Sequence, residues 1–462
     1  MADKKTLRVL VLLAVLSFMP TLAFYYVGEE AIFPIASLEM WHRGEWLHQY
    51  LFGGNTQHNP LFNWLIIPLA ALTGWEYVLP VTRALTVAAT LATAATVGWL
   101  AFRLLRDTAF AWFAALVYLT LADVLLYRGW LAYVDPLFGF FVFAAVAALW
   151  VACEERRPAL IVLAVASLTC AFLSKAFTAY VFYGSAVLVL LTAPQRRRVL
   201  LSMPSLALHA AAALAPMMWL ASLPGNLGQG NRMLGEIIAK LMPRGTVEYA
   251  QQLVGFPAET ILRLSPAILL VGYFTWRGRV ALRGQLDPHA KTAVWIAFIS
   301  YLPYWLAPHS AIRYLVPIYP VIAFALALVL WRGGERVVVT VWRWLIAIIA
   351  VKFIAAVILF PLYQTNYRGE NYAVTARDII KRTAGHPLYT RNDSASGLSV
   401  AGYIDAWRYP VPPIVWAPER WESGFVIALA AQPELGTVAA TYVLGGNELY
   451  LLCRGAACKT VP

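Results

Sequence analysis

Long apolar runs broken by short polar joints dominate this chain. A bilayer-crossing helix needs roughly 20 apolar residues, and runs near that length recur from Leu7 to Phe360. After the first run come others at about 81–102, 108–126, 135–152, 158–174, 177–193, 200–222, 259–276, 292–307, 314–331 and 338–361. The pattern predicts an all-α polytopic membrane protein of about 11 transmembrane helices. The opening segment Met1 to Phe24 has the charged start and apolar stretch of a signal peptide. Met19, Pro20 and Thr21 offer no small-residue cleavage site, so it reads as a retained first helix.

Charge then orients the helices. Lys4, Lys5 and Arg8 precede the first run, and alternate joints carry Arg103/Arg106, Arg156/Arg157, Arg196/Arg197/Arg198, Arg277/Arg279/Arg283/Lys291 and Arg332/Arg336. Basic joints stay on the cytoplasmic side, which predicts a cytoplasmic N-terminus. The far side receives residues 26–80, 223–257 and the tail 362–462. The formal charge of +12 thus reports topology and gives no reason to expect a nucleic-acid partner. With 61% hydrophobic and 13% charged residues and a mean hydropathy of +0.65, a soluble globule, about 25% charged, is excluded.

The tail breaks this pattern. Mixed polar composition, the turn signal Arg391-Asn392-Asp393-Ser394, and short runs at Thr437–Leu444 and Leu449–Leu452 predict a small α/β C-terminal periplasmic domain at 362–462, after a membrane module at 1–361. Cys453 and Cys458 lie five residues apart, spaced for a small disulfide loop on an oxidising face, with a metal pair as the alternative. Cys153 and Cys170, inside spans, read as small apolar fillers.

The first outer loop carries most of the candidate chemistry. Glu29 and Glu30 sit where the first helix leaves the membrane, a depth at which charges are costly unless paired or used. Downstream come Gly44-Glu45-Trp46 and then His58-Asn59-Pro60-Leu61, which leads into an aromatic, apolar segment with the character of an interfacial helix. In the second outer loop, Gly225-Asn226-Leu227-Gly228-Gln229-Gly230-Asn231-Arg232 precedes an amphipathic stretch through Ile237, Ile238, Leu241 and Met242. That pattern suits an interfacial helix, or a lid over a lipid-accessible cavity.

This ordered set resembles the GT-C membrane glycosyltransferases, in the branch of lipid A aminoarabinose transferase, protein O-mannosyltransferases and galacturonosyltransferase-like proteins. Glu29-Glu30 matches the branch's acidic pair, Gly44-Glu45-Trp46 its turn, and His58-Asn59-Pro60-Leu61 its proline segment. Arg83 is similar to a basic residue of the second span. Arg128 followed by Asp135 resembles the second acidic motif. Phe172-Leu173-Ser174-Lys175-Ala176 resembles a Leu-Thr-Lys-Gly turn, and Ser310 to Pro317, with Arg313 and Tyr314, a late basic-aromatic-proline segment. Glu29 stands where the family usually has Asp, His58 replaces a Lys, and Asn59 a Pro.

The resemblance implies a GT-C fold and transfer of a monosaccharide from a polyprenyl-phosphate-linked donor to a lipid or envelope glycan acceptor, at the periplasmic side of the bacterial inner membrane. Glu29, Glu30 and Asp135 are its catalytic candidates, Glu29 first as base and Asp135 as an acceptor-orienting carboxylate. Arg83, Lys175, Arg313 and His58 are the candidate phosphate ligands. Arg binds phosphate through a planar fork and Lys as a point charge, and both stabilise a departing phosphate. Arg128, Tyr314 and His309 are candidates for orienting acceptor or sugar, His309 also for touching the phosphate. No cofactor is obligatory. A divalent metal on Glu29, Glu30 and His58 is the weaker alternative, since the seven histidines show no ligand spacing. No nucleotide-binding glycine signature is present. A transporter or flippase of lipid-linked sugars would also place charges in a membrane cavity, but no repeated halves are visible. The remaining alternative is a catalytically inactive GT-C-like scaffold.

Overall fold

The structure is a computed structural model that describes residues 4–56, 58–222, 235, 238–242, 245–280 and 287–460. The glycine-rich stretch 225–232, Ile237 and Arg283 lie outside the described residues. Chain contacts divide it into two units, one of 1–18, 86–130 and 134–353, the other of 19–85, 131–133 and 354–462.

Six described helices are long and apolar enough to cross a membrane, or seven when Thr246–Arg263 and Ala267–Trp276 count as one bent span. Thr108–Leu119, Ala159–Ser174 and Thr178–Leu191 coincide with expected runs but hold only 12, 16 and 14 residues. At 1.5 Å per residue each is shorter than the ~30 Å hydrocarbon core. The run 259–276, expected as one span, bends by 97°. Pro266 stands at the break; it lacks an N–H and disfavours helical geometry in the residue before it.

The first unit is organised around the helix Asp135–Glu155, 83% of whose apolar window is buried, against 17% for Met203–Ala221. Gly139, Ala145, Ala147, Ala148 and Ala152 line it with small side chains, and in lipid close backbone approach is what drives helix association. A Cβ on Gly139 would already meet Val316 Cγ1 at 3.3 Å. Asp107 opens the helix Thr108–Leu119 by accepting from the N–H groups of Ala109 and Phe110 at 2.8 and 3.1 Å, the usual N-cap arrangement. Between that helix and Asp135, the chain makes a π-helical turn over Asp123–Arg128. It is closed by Gly129, where a Cβ would fall 2.3 Å from the Val124 carbonyl oxygen.

In the second unit a helix Ile32–Arg43 ends at Gly44, whose φ of 64° is the left-handed cap favouring glycine. A two-residue hairpin, β1 (Tyr50–Leu51) with β2 (Gly54–Asn55), and the helix Leu61–Thr73 follow. The C-terminal part has β3 (Leu388–Thr390), β4 (Val415–Trp416), β5 (Gly424–Ala428), β6 (Thr437–Leu444) and β7 (Asn447–Arg454), in the order β4-β3-β5-β7-β6. The pairs β3–β4 and β3–β5 are parallel, while β5–β7 and β6–β7 are antiparallel. Gly445 and Gly446, at φ 60° and 86°, supply the two positive φ values that a tight hairpin turn requires. The sheet packs its apolar face, with Phe425, Ile427, Leu449 and Leu451, onto the helices Glu370–Arg382 and Ala395–Arg408 through Ala376, Ile379, Leu398 and Ile404. Cys453 and Cys458 form a disulfide.

Candidate functional site

The expected residues fall into two groups, each within one unit. In the second unit the chain leaves its first apolar helix through Gly28, at φ 61°, where an added Cβ would press the Tyr133 hydroxyl at 3.0 Å. The same hydroxyl accepts from Glu29 N at 3.1 Å, which fixes the backbone while the Glu29 side chain stays exposed. The adjacent Glu30 is fully buried, as is Arg83. Arg83 grips both Glu30 oxygens, Nε to Oε1 at 2.9 Å and Nη2 to Oε2 at 2.6 Å. Glu30 also accepts from Val27 N and Ala132 N, both at 2.7 Å, and Arg83 donates to the carbonyls of Thr21, Phe24 and Tyr25. A buried ion pair is tolerable only when its remaining donors and acceptors are satisfied in this way. Glu30 and Arg83, read as catalytic and phosphate-binding candidates, are therefore joined to each other and hold three chain segments together.

His58 stacks on Phe33 at 5.8 Å between ring centroids and 29° between planes. Its neighbour Asn59 is buried and accepts through its carbonyl from Gln49 Nε2 at 3.1 Å, while the same amide reaches Asn63 Oδ1 at 2.5 Å. The proline segment thus builds the loop that starts Leu61–Thr73. Among the described residues, no group of three or more His, Cys, Asp or Glu side chains is placed to hold a metal ion.

The first unit brings together Arg128, Asp135, Lys175, Arg313 and Tyr314. Asp135 opens its helix with Pro136 behind it, and the helix N-terminus favours a carboxylate there. Lys175 caps the C-terminus of Ala159–Ser174 and donates to Asp135 Oδ1 at 2.5 Å. Arg128 Nη1 lies 3.7 Å from Asp135 Oδ2. Tyr314 carries the guanidinium of Arg313 at 5.3 Å from its ring centroid and the ammonium groups of Lys175 and Lys240 at 5.2 and 4.2 Å. Such contacts between a cation and a ring face hold charge in place without neutralising it. His309 is exposed and meets this group through its backbone, donating to the Lys240 carbonyl at 3.2 Å.

Four further charged residues, Asp123, Arg263, Glu259 and Lys240, escaped the sequence reading. Buried Asp123 accepts from Arg263 Nη1 at 2.6 Å and from the Tyr319 hydroxyl at 3.0 Å, and lies 3.6 Å from Arg128 Nε. Arg263 in turn meets Glu259 at 2.6 Å. The result is a chain of alternating charge, Glu259, Arg263, Asp123, Arg128, Asp135 and Lys175, with Arg313 and Lys240 near its Lys175 end on the same Tyr314 ring.

A bundle of apolar helices carrying a largely buried polar array, with an α/β C-terminal part, defines a multi-pass membrane protein. No protein-family model matches the sequence, and no curated protein matches it. The fold is that of ArnT from Cupriavidus metallidurans. The structure of that protein bound to undecaprenyl phosphate is similar at a TM-score of 0.71, with 14% identity over 99% of both chains. Its apo state matches equally, at 15% identity. The apo oligosaccharyltransferase of Archaeoglobus fulgidus has a TM-score of 0.49 and 12% identity over 87% of this chain and 64% of its own, too distant to argue from.

Proposed function

We propose that the protein is a glycosyltransferase of the GT-C class that moves a monosaccharide from a polyprenyl phosphate to a lipid or envelope glycan acceptor. The observation that carries this reading is the gathering of Lys175, Lys240 and Arg313 around Tyr314, beside Asp135, in a fold shared with a protein solved with undecaprenyl phosphate. Cations at a membrane surface can hold the phosphate of a lipid whose tail remains in hydrocarbon. In the reaction the acceptor oxygen bonds to the anomeric carbon, the bond from that carbon to the phosphate oxygen breaks, and its electron pair leaves with the phosphate. Lys175 and Arg313 stabilise the departing charge. Glu29, the exposed member of the acidic pair, takes the acceptor's proton as general base, and a single displacement inverts the anomeric centre. Asp135 and Arg128 position Lys175 and the polar groups beside it.

The basic joints and the Cys453–Cys458 disulfide support a bacterial inner-membrane protein of about 11 spans with its N-terminus in the cytoplasm. Residues 1–361 then form the catalytic module, and 362–462 a periplasmic domain. The test is mass spectrometry of products after incubating purified protein with undecaprenyl-phosphate sugars and an extract of envelope lipids. One sugar mass gained by a lipid, with free undecaprenyl phosphate released, supports transfer; Glu29→Gln should abolish it while leaving folding intact. Donor binding without turnover would favour a carrier or scaffold.

A further inference from the structure

The helix Asp135–Glu155 holds 21 residues, roughly 30 Å at 1.5 Å per residue, so its two ends meet opposite surfaces of a bilayer. Asp135 stands at one end, among the cations assigned to the donor. At the other end Glu155 gathers three guanidiniums. Arg103 grips both of its oxygens, Nε to Oε1 at 2.6 Å and Nη2 to Oε2. Arg106 Nη2 donates to Oε1 at 3.1 Å, and Arg157 Nε lies 3.5 Å from Oε2. Arg103 and Glu155 are largely covered, while the side chains of Arg106 and Arg157 are 64% and 67% exposed. The neighbouring carboxylates are engaged elsewhere. Glu154 meets Arg196 at 2.7 Å and accepts from the Trp150 indole at 3.2 Å, and Asp107 caps the helix Thr108–Leu119. One carboxylate thus serves three guanidiniums, two of them open to solvent.

The guanidiniums of Arg103 and Arg106 lie over the rings of Trp99 and Phe102, 5.2 and 5.9 Å from the ring centroids, which orders them before any anion arrives. Arg106 follows the helix Val78–Leu105 with φ 55°, and Arg156 follows Asp135–Glu155 with the same value. Glycine is the usual residue in that left-handed conformation, and strain retained there points to use of the side chain. Before Arg106 on the same helix, Ala95 and Phe102 are exposed and Trp99 half-buried, at the i, i+4, i+7 spacing of one face. From Ala95 to Leu105 is about 15 Å, half the hydrocarbon core and so the depth of one leaflet. A phospholipid standing there lays a chain along this apolar stripe and brings its phosphate to the guanidiniums, which bind phosphate oxygens through a planar fork. We propose that Arg106 and Arg157, set in place by Arg103 and Glu155, hold the phosphate of an anionic phospholipid in the leaflet away from Asp135. The excess of positive over negative charge in the cluster favours a headgroup without an ammonium of its own.

This site is independent of the donor and of the reaction. The full-length protein in detergent is titrated with dioctanoyl phosphatidylglycerol, dioctanoyl phosphatidylcholine and inorganic phosphate, with binding read from intrinsic fluorescence. The expected result is a Kd for phosphatidylglycerol at least about tenfold below those of phosphatidylcholine and inorganic phosphate. Arg106→Gln/Arg157→Gln should weaken phosphatidylglycerol binding by about tenfold or more, and each single variant, the fallback should the double variant not fold, by about threefold. A charge-matched control is Arg197→Gln/Arg198→Gln, which removes two exposed arginines of the short helix Pro194–Leu200, the helix whose Arg196 meets Glu154. That control, and Lys175→Met at the opposite end, should each change the Kd by less than about twofold. Equal weakening by the control would mean a diffuse basic surface and overturns the proposal. So does loss of binding in Lys175→Met alone, which would put the lipid at the donor end. Equal affinity for the two lipids, or inorganic phosphate bound as tightly as phosphatidylglycerol, overturns it as well.

Discussion

Arg83 and Glu30 form a two-pronged ion pair with neither side chain exposed to solvent, Nη2 to Oε2 at 2.6 Å and Nε to Oε1 at 2.9 Å. Because Arg83 also donates to three carbonyls, removing it takes a donor from five acceptor oxygens at once and leaves the buried Glu30 carboxylate without its counter-charge. Breaking a buried pair on one side costs about 3–5 kcal/mol. Arg83→Ala and Glu30→Gln should therefore both lower the melting temperature and the folded yield in detergent. Arg83→Lys should not rescue, since an ammonium cannot span the carboxylate and the carbonyls of Thr21, Phe24 and Tyr25. Melting curves by intrinsic fluorescence check this. A stable, inactive Glu30→Gln would instead assign Glu30 to the chemistry.

Lys175 and Asp135 behave differently, because Lys175 also faces Phe138 and Tyr314 while Asp135 holds its ammonium. Losing one preorganised donor to a developing oxyanion costs about 10²–10³ in rate. Lys175→Met should lower kcat by about that factor and, because Arg128 Nη1 still lies 3.7 Å from the buried Asp135, lower the melting temperature less than Arg83→Ala does. Asp135→Asn should act through Lys175, with a smaller loss, about tenfold, that the double variant does not exceed beyond Lys175→Met alone. Additive losses in the double variant would give Asp135 a separate role.

What the sequence could reveal here depended on whether a charge stood at the edge of an apolar run or inside one. Glu29, Glu30, Arg128, Asp135 and Lys175 stand at run ends, and their order along the chain was readable. Asp123 and Arg263 lie within the runs 108–126 and 259–276, where averaged hydropathy absorbs them. A charge inside a span is itself a signal for function, and both could have been found that way. The break at Pro266 was hidden for the same reason, since one proline barely changes the mean of an apolar window. In the tail, β6 and β7 were legible from their β-branched and apolar runs. The parallel strands β3 and β4, three and two residues long, are too short to show a period, and their pairing is decided by the helices packed on the sheet.

The Cys453–Cys458 link closes a loop with a sequence separation of 5, joining the end of β7 to the segment after it. Loop closure of that size restricts the unfolded chain by about 2 kcal/mol in the chain-entropy treatment. The double substitution Cys453→Ser/Cys458→Ser should lower the melting temperature of the full-length protein by a few degrees without touching kcat. Thiol labelling of protein expressed with and without the periplasmic oxidation machinery should find the pair blocked only in the first case; labelling in both would place the tail on the reducing side of the membrane.

Asp405, on the helix Ala395–Arg408, is buried, accepts from Ile414 N at 2.8 Å through Oδ1, and has no partner for Oδ2 among the described residues. Burial pushes its carboxyl up to about 8, against the opposing pull of the Ile414 N–H and Arg408, and with a further push from Glu39. Burial also raises Glu39, which Arg43 and the Gly53 N–H partly offset. An acid held protonated in the fold but ionised near pH 4 in the unfolded chain binds more protons when folded. Stability therefore falls as pH rises from about 4 to 8 and levels off above that. Asp405→Asn keeps the shape and the bond from Ile414 but carries no proton to lose. Between pH 5 and 8 the variant's melting temperature should fall less than that of the natural protein, with the two closest at pH 5. Parallel curves over that interval would mean that Asp405 is already ionised in the fold and that an undescribed partner compensates it.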